Sequence, residues 1–169
     1  VKSFSLYFKH VVDGGIYIVE DLHCSYWGNF EGGLFHPYSS MSFFKSLVDI
    51  VNHEHWGIEK SRKSLVEDFE RQYGVNIDED ALASIHLIEF INSMCIIHKA
   101  VPDNNALGKR VVVGKTAAIV PDIVTHHGET RPKTDQSGNK WAARALQPVE
   151  ELAAKRSEIK EAFIKLESA

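Results

Sequence analysis

The chain has 169 residues, a net charge of -4 and 44% hydrophobic residues, which is enough apolar material to bury a core without cross-links. Nine Phe and three Trp exclude a disordered chain, and a pI near 6.1 argues against a polybasic nucleic-acid module. Two cysteines, Cys24 and Cys95, form neither a disulfide framework nor a zinc spacing, so a cytoplasmic setting is expected; no apolar run approaches the roughly 20 residues that span a bilayer.

In chain order, Phe4, Tyr7, Phe8 and Val11 fall on one face of a helix expected over about 2–12. The chain opens with Val1 already inside this pattern and without an N-cap, so a fragment of a longer protein is expected. Asp13-Gly14-Gly15 stops the helix, and Ile16-Tyr17-Ile18-Val19 predicts a strand covered on both faces, as in parallel sheets. Residues 22–39 then mix Gly28, Gly32, Gly33 and Pro37 with Tyr26, Trp27, Phe30, Phe35 and Tyr38, a long aromatic loop of the kind that carries function.

Ser39 or Ser40 is placed to cap a helix running to about His55, with Phe43, Phe44, Leu47, Val48 and Val51 as its buried stripe. A more polar helix is expected over 61–73, stopped by Gly74, and one short helical turn over Asp78 to Ala83. Two apolar runs, Ser84 to Phe90 and Met94 to Lys99, bracket Ile91-Asn92-Ser93 and read as a β-hairpin. A helix, strand and helix followed by an antiparallel hairpin make an α/β fold, the back half of a doubly wound sheet.

Beyond residue 100 the composition changes. Gly and Pro punctuate a surface arm over 101–147, in which Arg110 to Val113 and Ala117 to Val120 are the only candidate short strands. From Pro148, Val149, Leu152, Ile159, Phe163 and Leu166 follow spacings of three and four, so residues 148–169 predict an amphipathic helix docked on the parent domain or on a partner helix.

The strongest chemical signal is Glu20-Asp21 at the end of the first strand. Open α/β sheets bind ligands beyond the carboxyl ends of their strands, and adjacent hard oxygen donors suit Mg²⁺. An equally direct reading has one carboxylate cap the next turn while the other faces solvent.

Gly14 to His23, followed by Ser25-Tyr26-Trp27, resembles a segment of class I S-adenosylmethionine-dependent methyltransferases, within the metal-dependent O-methyltransferases of macrolide-sugar tailoring. That group includes relatives named cephalosporin hydroxylases or found in polysaccharide clusters. The similarity continues through Phe44 to Asp49, Ser84-Ile85-His86 and Cys95 to Lys99, so that residues 1–100 resemble the C-terminal half of the Rossmann-like catalytic domain, ending in its antiparallel hairpin. The resemblance implies that Glu20 and Asp21 bind Mg²⁺ beside the hydroxyls of a sugar or glycoside acceptor. It also implies S-adenosylmethionine as methyl donor, held mostly by a Gly-rich loop outside this chain, and a further Asp and catalytic His from an upstream Asp-Gly-Ser-His-like motif. No catalytic residue is therefore expected within the chain, which alone would be inactive.

His23, two residues beyond Asp21, is a candidate acceptor contact, or a support for one, against a plain loop histidine. Tyr26 and Trp27 are candidate walls of the acceptor pocket, against simple packing beneath the loop. His53 and His55 point to different helix faces, and His86 and His98 suit structural roles in the hairpin. His126-His127-Gly128-Glu129, in the arm, reads as a solvated turn in preference to a zinc site, and Cys95 as part of the core. The rival reading is a non-catalytic assembly module whose aromatic loop and last helix form a homo-oligomer interface; no iron facial triad supports a hydroxylase.

Overall fold

The structure is a computed structural model and describes residues 1–114, 123–130, 134–139 and 141–142. The expected helix 148–169 and the candidate strand Ala117 to Val120 lie outside the described residues. Helix α1 (Lys2–Tyr7) tightens into a 3-10 turn over Phe8–His10. Strand β1 (Ile16–Val19), helix α2 (Ser40–Val51), helix α3 (Glu67–Tyr73), helix α4 (Glu79–Ala83), and strands β2 (Ile85–Ile91) and β3 (Met94–Lys99) follow.

The strands form one sheet in the order β1-β3-β2, with β3 antiparallel to both neighbours. β1 and β2 therefore run parallel to each other on either side of β3, joined by the long segment that contains α2. This order accounts for the sequence pattern: the hairpin supplies the antiparallel partner, and the crossover supplies the helix that covers the sheet.

α2 begins where Ser39 accepts a hydrogen bond from the Ser42 amide. It buries Phe43, Phe44, Leu47 and Ile50; Val48 is 44% exposed, so Ile50 takes the place that the expected stripe gave to Val48. Phe4 stacks on Phe8 at 4.7 Å and meets the edge of Phe43 at 5.4 Å, and Phe43 meets Phe69 at 5.3 Å. Aromatic edges thus join α1, α2 and α3 into one core, completed by Leu22, Leu82, Ile85, Cys95 and Ile97. Gly74 ends α3 in the left-handed region at φ 61°, as its position in the sequence predicts. Lys99 ties the sheet to α1: its ammonium donates to the carbonyls of Lys9 and Val11, the exposed end of that helix.

One expectation fails. Among the described residues β1 is covered on one face only, and its sole neighbour there is the antiparallel β3. Tyr17 and Val19 pack on the core, whereas Ile16 and Ile18 are 50% and 46% exposed. Leu87 and Ile91, on the same face by register, are 46% and 55% exposed. No described helix covers that face, so the uniformly apolar strand meets its cover on one side only.

In the arm, a bridge between Lys109 and Thr130 and the bond from the Arg110 amide to the Glu129 carbonyl give a minimal pairing in place of a strand. Among the described residues no helix is long and apolar enough to cross a membrane.

Candidate functional site

β1 delivers the chain to Glu20 and then turns sharply at Asp21, which sits in the left-handed region at φ 57°. Asp tolerates this region better than most residues with a Cβ, although the conformation still costs free energy. A 3-10 turn over Leu22–Tyr26 starts directly afterwards, and the Asp21 side chain does not cap it. Among the described residues neither the Glu20 nor the Asp21 carboxylate has a hydrogen-bond or ion-pair partner, so the capping alternative does not hold.

Both carboxylates line a cavity of about 480 Å³ between α1, the strand end and the aromatic loop. Glu31, Cys24, His36 and Tyr73 share its wall. The Tyr73 hydroxyl donates to the Tyr38 carbonyl; burial pushes its pKa up, and the charge of Glu31 adds to the rise. Glu20, Asp21 and Glu31 thus give the cavity a negative wall, a place for a cation or for hydroxyl donors. Among the described residues no group of three His, Cys, Asp or Glu is placed to hold a metal ion. The donor set present is two adjacent carboxylates, which suits a hard cation that keeps water and substrate oxygens in its remaining positions.

The aromatic loop is more ordered than its composition suggests. A second 3-10 turn over Gly28–Phe30 follows the first, and Gly32 and Gly33 fold back so that their amides donate to the Trp27 and Ser25 carbonyls. A Cβ on Gly32 would lie 2.3 Å from the Ser25 carbonyl oxygen, so this closure requires glycine. It leaves Trp27, Phe30, Leu34 and Phe35 exposed.

His23, Tyr26 and Trp27 are not among the residues lining the cavity. His23 and Trp27 form a cluster of their own: the rings meet edge-on at 4.7 Å, and Trp27 leans on Phe30 at 6.1 Å. His23 Nδ1 lies 2.5 Å from the Ser93 hydroxyl, and the Leu22 amide donates to the Ser93 carbonyl. Ser93, Glu31, His36 and Tyr73 were not signalled by sequence, because each reaches the strand end through tertiary folding rather than through spacing.

Most of the other histidines have structural partners among the described residues. His53 Nε2 donates to the Lys60 carbonyl and its ring meets Trp56 edge-on, His86 pairs with Asn105, and His98 pairs with Glu89 across the hairpin. His126 pairs with Glu129 in the arm. Both cysteines are free; Cys95 is fully buried, and burial pushes its thiol up to about 11.

No protein-family model matches the chain. Mycinamicin VI 2''-O-methyltransferase of Micromonospora griseorubida is 39% identical over 56 residues. The 8-demethyl-8-alpha-L-rhamnosyl tetracenomycin-C 2'-O-methyltransferase of Streptomyces olivaceus is 43% identical over 54 residues. Demethylmacrocin O-methyltransferase of Streptomyces fradiae is 43% identical over 56 residues. This chain is similar to sugar O-methyltransferases.

Each match covers 31% of this chain and 14% of the relative. Among solved structures, MycE methyltransferase from the mycinamycin biosynthetic pathway, in complex with Mg, SAH and mycinamycin VI, is 20% identical with a TM-score of 0.43. It covers 64% of this chain and 24% of that chain. A second crystal form with Mg and SAH gives 22% and 0.45, covering 73% of this chain and 26% of that one.

Proposed function

We propose that the chain supplies the acceptor side of an S-adenosylmethionine-dependent, Mg²⁺-assisted O-methyltransferase acting on a sugar or glycosylated small molecule. The observation that carries this reading is the pair of carboxylates, Glu20 and Asp21, at the end of β1, which line the cavity and have no partner among the described residues. The local identity to the mycinamicin, tetracenomycin and macrocin O-methyltransferases supports it. Glu20 and Asp21 would hold the cation, and Mg²⁺ when bound would orient two neighbouring sugar hydroxyls and ease loss of a proton from one of them. His23 and Trp27 stand beyond the strand end, where a stacked sugar ring meets an aromatic face and a hydrogen-bonding nitrogen. The chain's own residues therefore bind and orient the acceptor, and methyl transfer needs little else but alignment of donor and acceptor.

The bare face of β1 and β2 supports a second part of this reading. The chain acts as the C-terminal half of the catalytic domain, and the half carrying the S-adenosylmethionine loop packs against Ile16, Ile18, Leu87 and Ile91. The test joins this chain to the polypeptide encoded upstream of Val1 and follows tritium from S-adenosyl-[methyl-³H]methionine into a rhamnosylated acceptor. Transfer that needs Mg²⁺, stops with EDTA and falls at least about 100-fold in Glu20→Gln and Asp21→Asn is the expected result. Transfer unaffected by either substitution would overturn the assignment of the carboxylates. An assembly module would show neither S-adenosylmethionine binding nor transfer.

A further inference from the structure

Two residues with side chains adopt left-handed backbone at the same corner of the molecule. Asp21 has φ 57° and Ser93 has φ 67°, and the segments they belong to are joined by the bond from the Leu22 amide to the Ser93 carbonyl at 2.9 Å. Ser93 is the second residue of the tight turn between β2 and β3, where Ile91 pairs with Met94. A positive φ at that position favours Gly or Asn, so Ser carries a cost there that the turn alone does not repay. What Ser adds over Gly is its hydroxyl, and that hydroxyl lies 2.5 Å from Nδ1 of His23. The other edge of the imidazole faces no partner among the described residues, and the Trp27 ring braces it at 4.7 Å.

We infer that Ser93 is a positioning residue for the acceptor contact made by His23: its hydroxyl accepts the Nδ1–H, which fixes the ring and leaves the Nε2 lone pair to face the acceptor hydroxyl. The inference rests on the acceptor-side reading given above. Its chemistry is that of hydrogen-bonded histidines generally, where the partner of one ring nitrogen decides what the other can do. The carbonyl of the same residue holds Leu22, so one turn residue anchors both the backbone that presents Glu20 and Asp21 and the ring that follows them.

The test is nitrogen-15 NMR of the chain labelled at histidine, at a pH where imidazole is neutral, in the wild type and in Ser93→Ala, Ser93→Gly and Ser93→Thr. Glycine accepts the turn's backbone conformation, so the Gly variant separates loss of the hydroxyl from loss of the turn. The expected result is a His23 protonated at Nδ1 in the wild type and in the Thr variant, and a shift towards the Nε2–H form in the Ala and Gly variants. Methyl α-L-rhamnopyranoside with Mg²⁺ then serves as the acceptor probe. Its effect on the Nε2 resonance should weaken about tenfold in affinity in the Ala and Gly variants and return with Thr. A wild type protonated at Nε2, or an Ala variant with an unchanged tautomer, overturns the role of Ser93. A tautomer that depends on Ser93 in a chain whose His23 ignores the glycoside upholds the positioning and contradicts the acceptor reading instead.

Discussion

The two faces of the sheet are built from the same kinds of residue and meet different surroundings. On one face Tyr17, Val19, Ile88, Cys95 and Ile97 join the helical core. On the other, Ile16, Ile18, Leu87 and Ile91 remain about half exposed, and only His98 and Glu89 offer a polar pair among them. An apolar residue at every position of a strand is the habit of sheets covered twice, whereas a sheet with one wet face alternates apolar and polar. The face left open by the described residues therefore carries a sequence suited to burial, and an exposed apolar area of this kind marks an interaction surface. The lesson is that burial observed in the described residues and burial encoded in the sequence are separate quantities, and here they diverge across a single strand.

The largest effect that tests this contrast comes from truncating each face in turn. Phe43→Ala removes a ring that is fully buried against Phe4, Phe44 and Phe69, and should cost about 3–5 kcal/mol in urea unfolding. Ile18→Ala on the open face should cost less than about 1 kcal/mol and should reduce binding of a hydrophobic dye. Equal costs would show that the open face is in fact covered.

Next in size is the tie between the faces and α1. Lys99→Met keeps the aliphatic stem and removes the ammonium that donates to the Lys9 and Val11 carbonyls, with an expected loss of about 1–3 kcal/mol by the same unfolding measurement. A loss no greater than that of a solvent-facing lysine would mean that the two bonds do not stabilise the helix end.

Two pH effects probe the core side more gently. Burial raises the Cys95 thiol to about 11, from 9.0, so the folded state keeps the proton that the unfolded chain releases. Its contribution is fully present below about pH 9 and is lost as the pH climbs towards about 11, where unfolding free energy should fall with rising pH; a Cys95→Ala variant should show a flatter profile. Below neutrality, burial raises the Glu79 carboxyl, but hydrogen bonds from the Lys63 and Arg62 amides and from the Arg62 guanidinium outweigh it and leave the pKa below 4.5. That contribution is present above pH 4.5 and fades as pH falls through the lowered value. Glu79→Gln should therefore cost stability at neutral pH and nothing at strongly acid pH.

Much of the fold was legible because its signals were local. The Ser39 cap, the Gly74 stop, and the apolar runs around Asn92 and Ser93 each fix an element within a few residues. The strand order was accessible only as far as the hairpin; pairing of β1 with β3 joins residues far apart in sequence, and no local pattern states it. At the site, Glu20 and Asp21 stood out because an acidic pair abruptly ends an apolar strand. Ser93 was invisible, since its importance lies in a positive φ and in two bonds to residues 22 and 23. Spacing alone puts His23, Tyr26 and Trp27 near the carboxylates; that His23 packs against Trp27 and Ser93, outside the cavity lining, is visible only in three dimensions.

The central claim is that the end of β1 is a cation-holding, acceptor-binding edge, and a titration with Mn²⁺ in place of Mg²⁺ tests it most directly. Paramagnetic broadening in amide NMR spectra should begin at Glu20, Asp21 and Leu22, reach the other residues of the cavity wall before the far end of the sheet at Leu87, and disappear in the Glu20→Gln, Asp21→Asn double variant. Broadening that starts elsewhere, or that persists in the double variant, would contradict the claim.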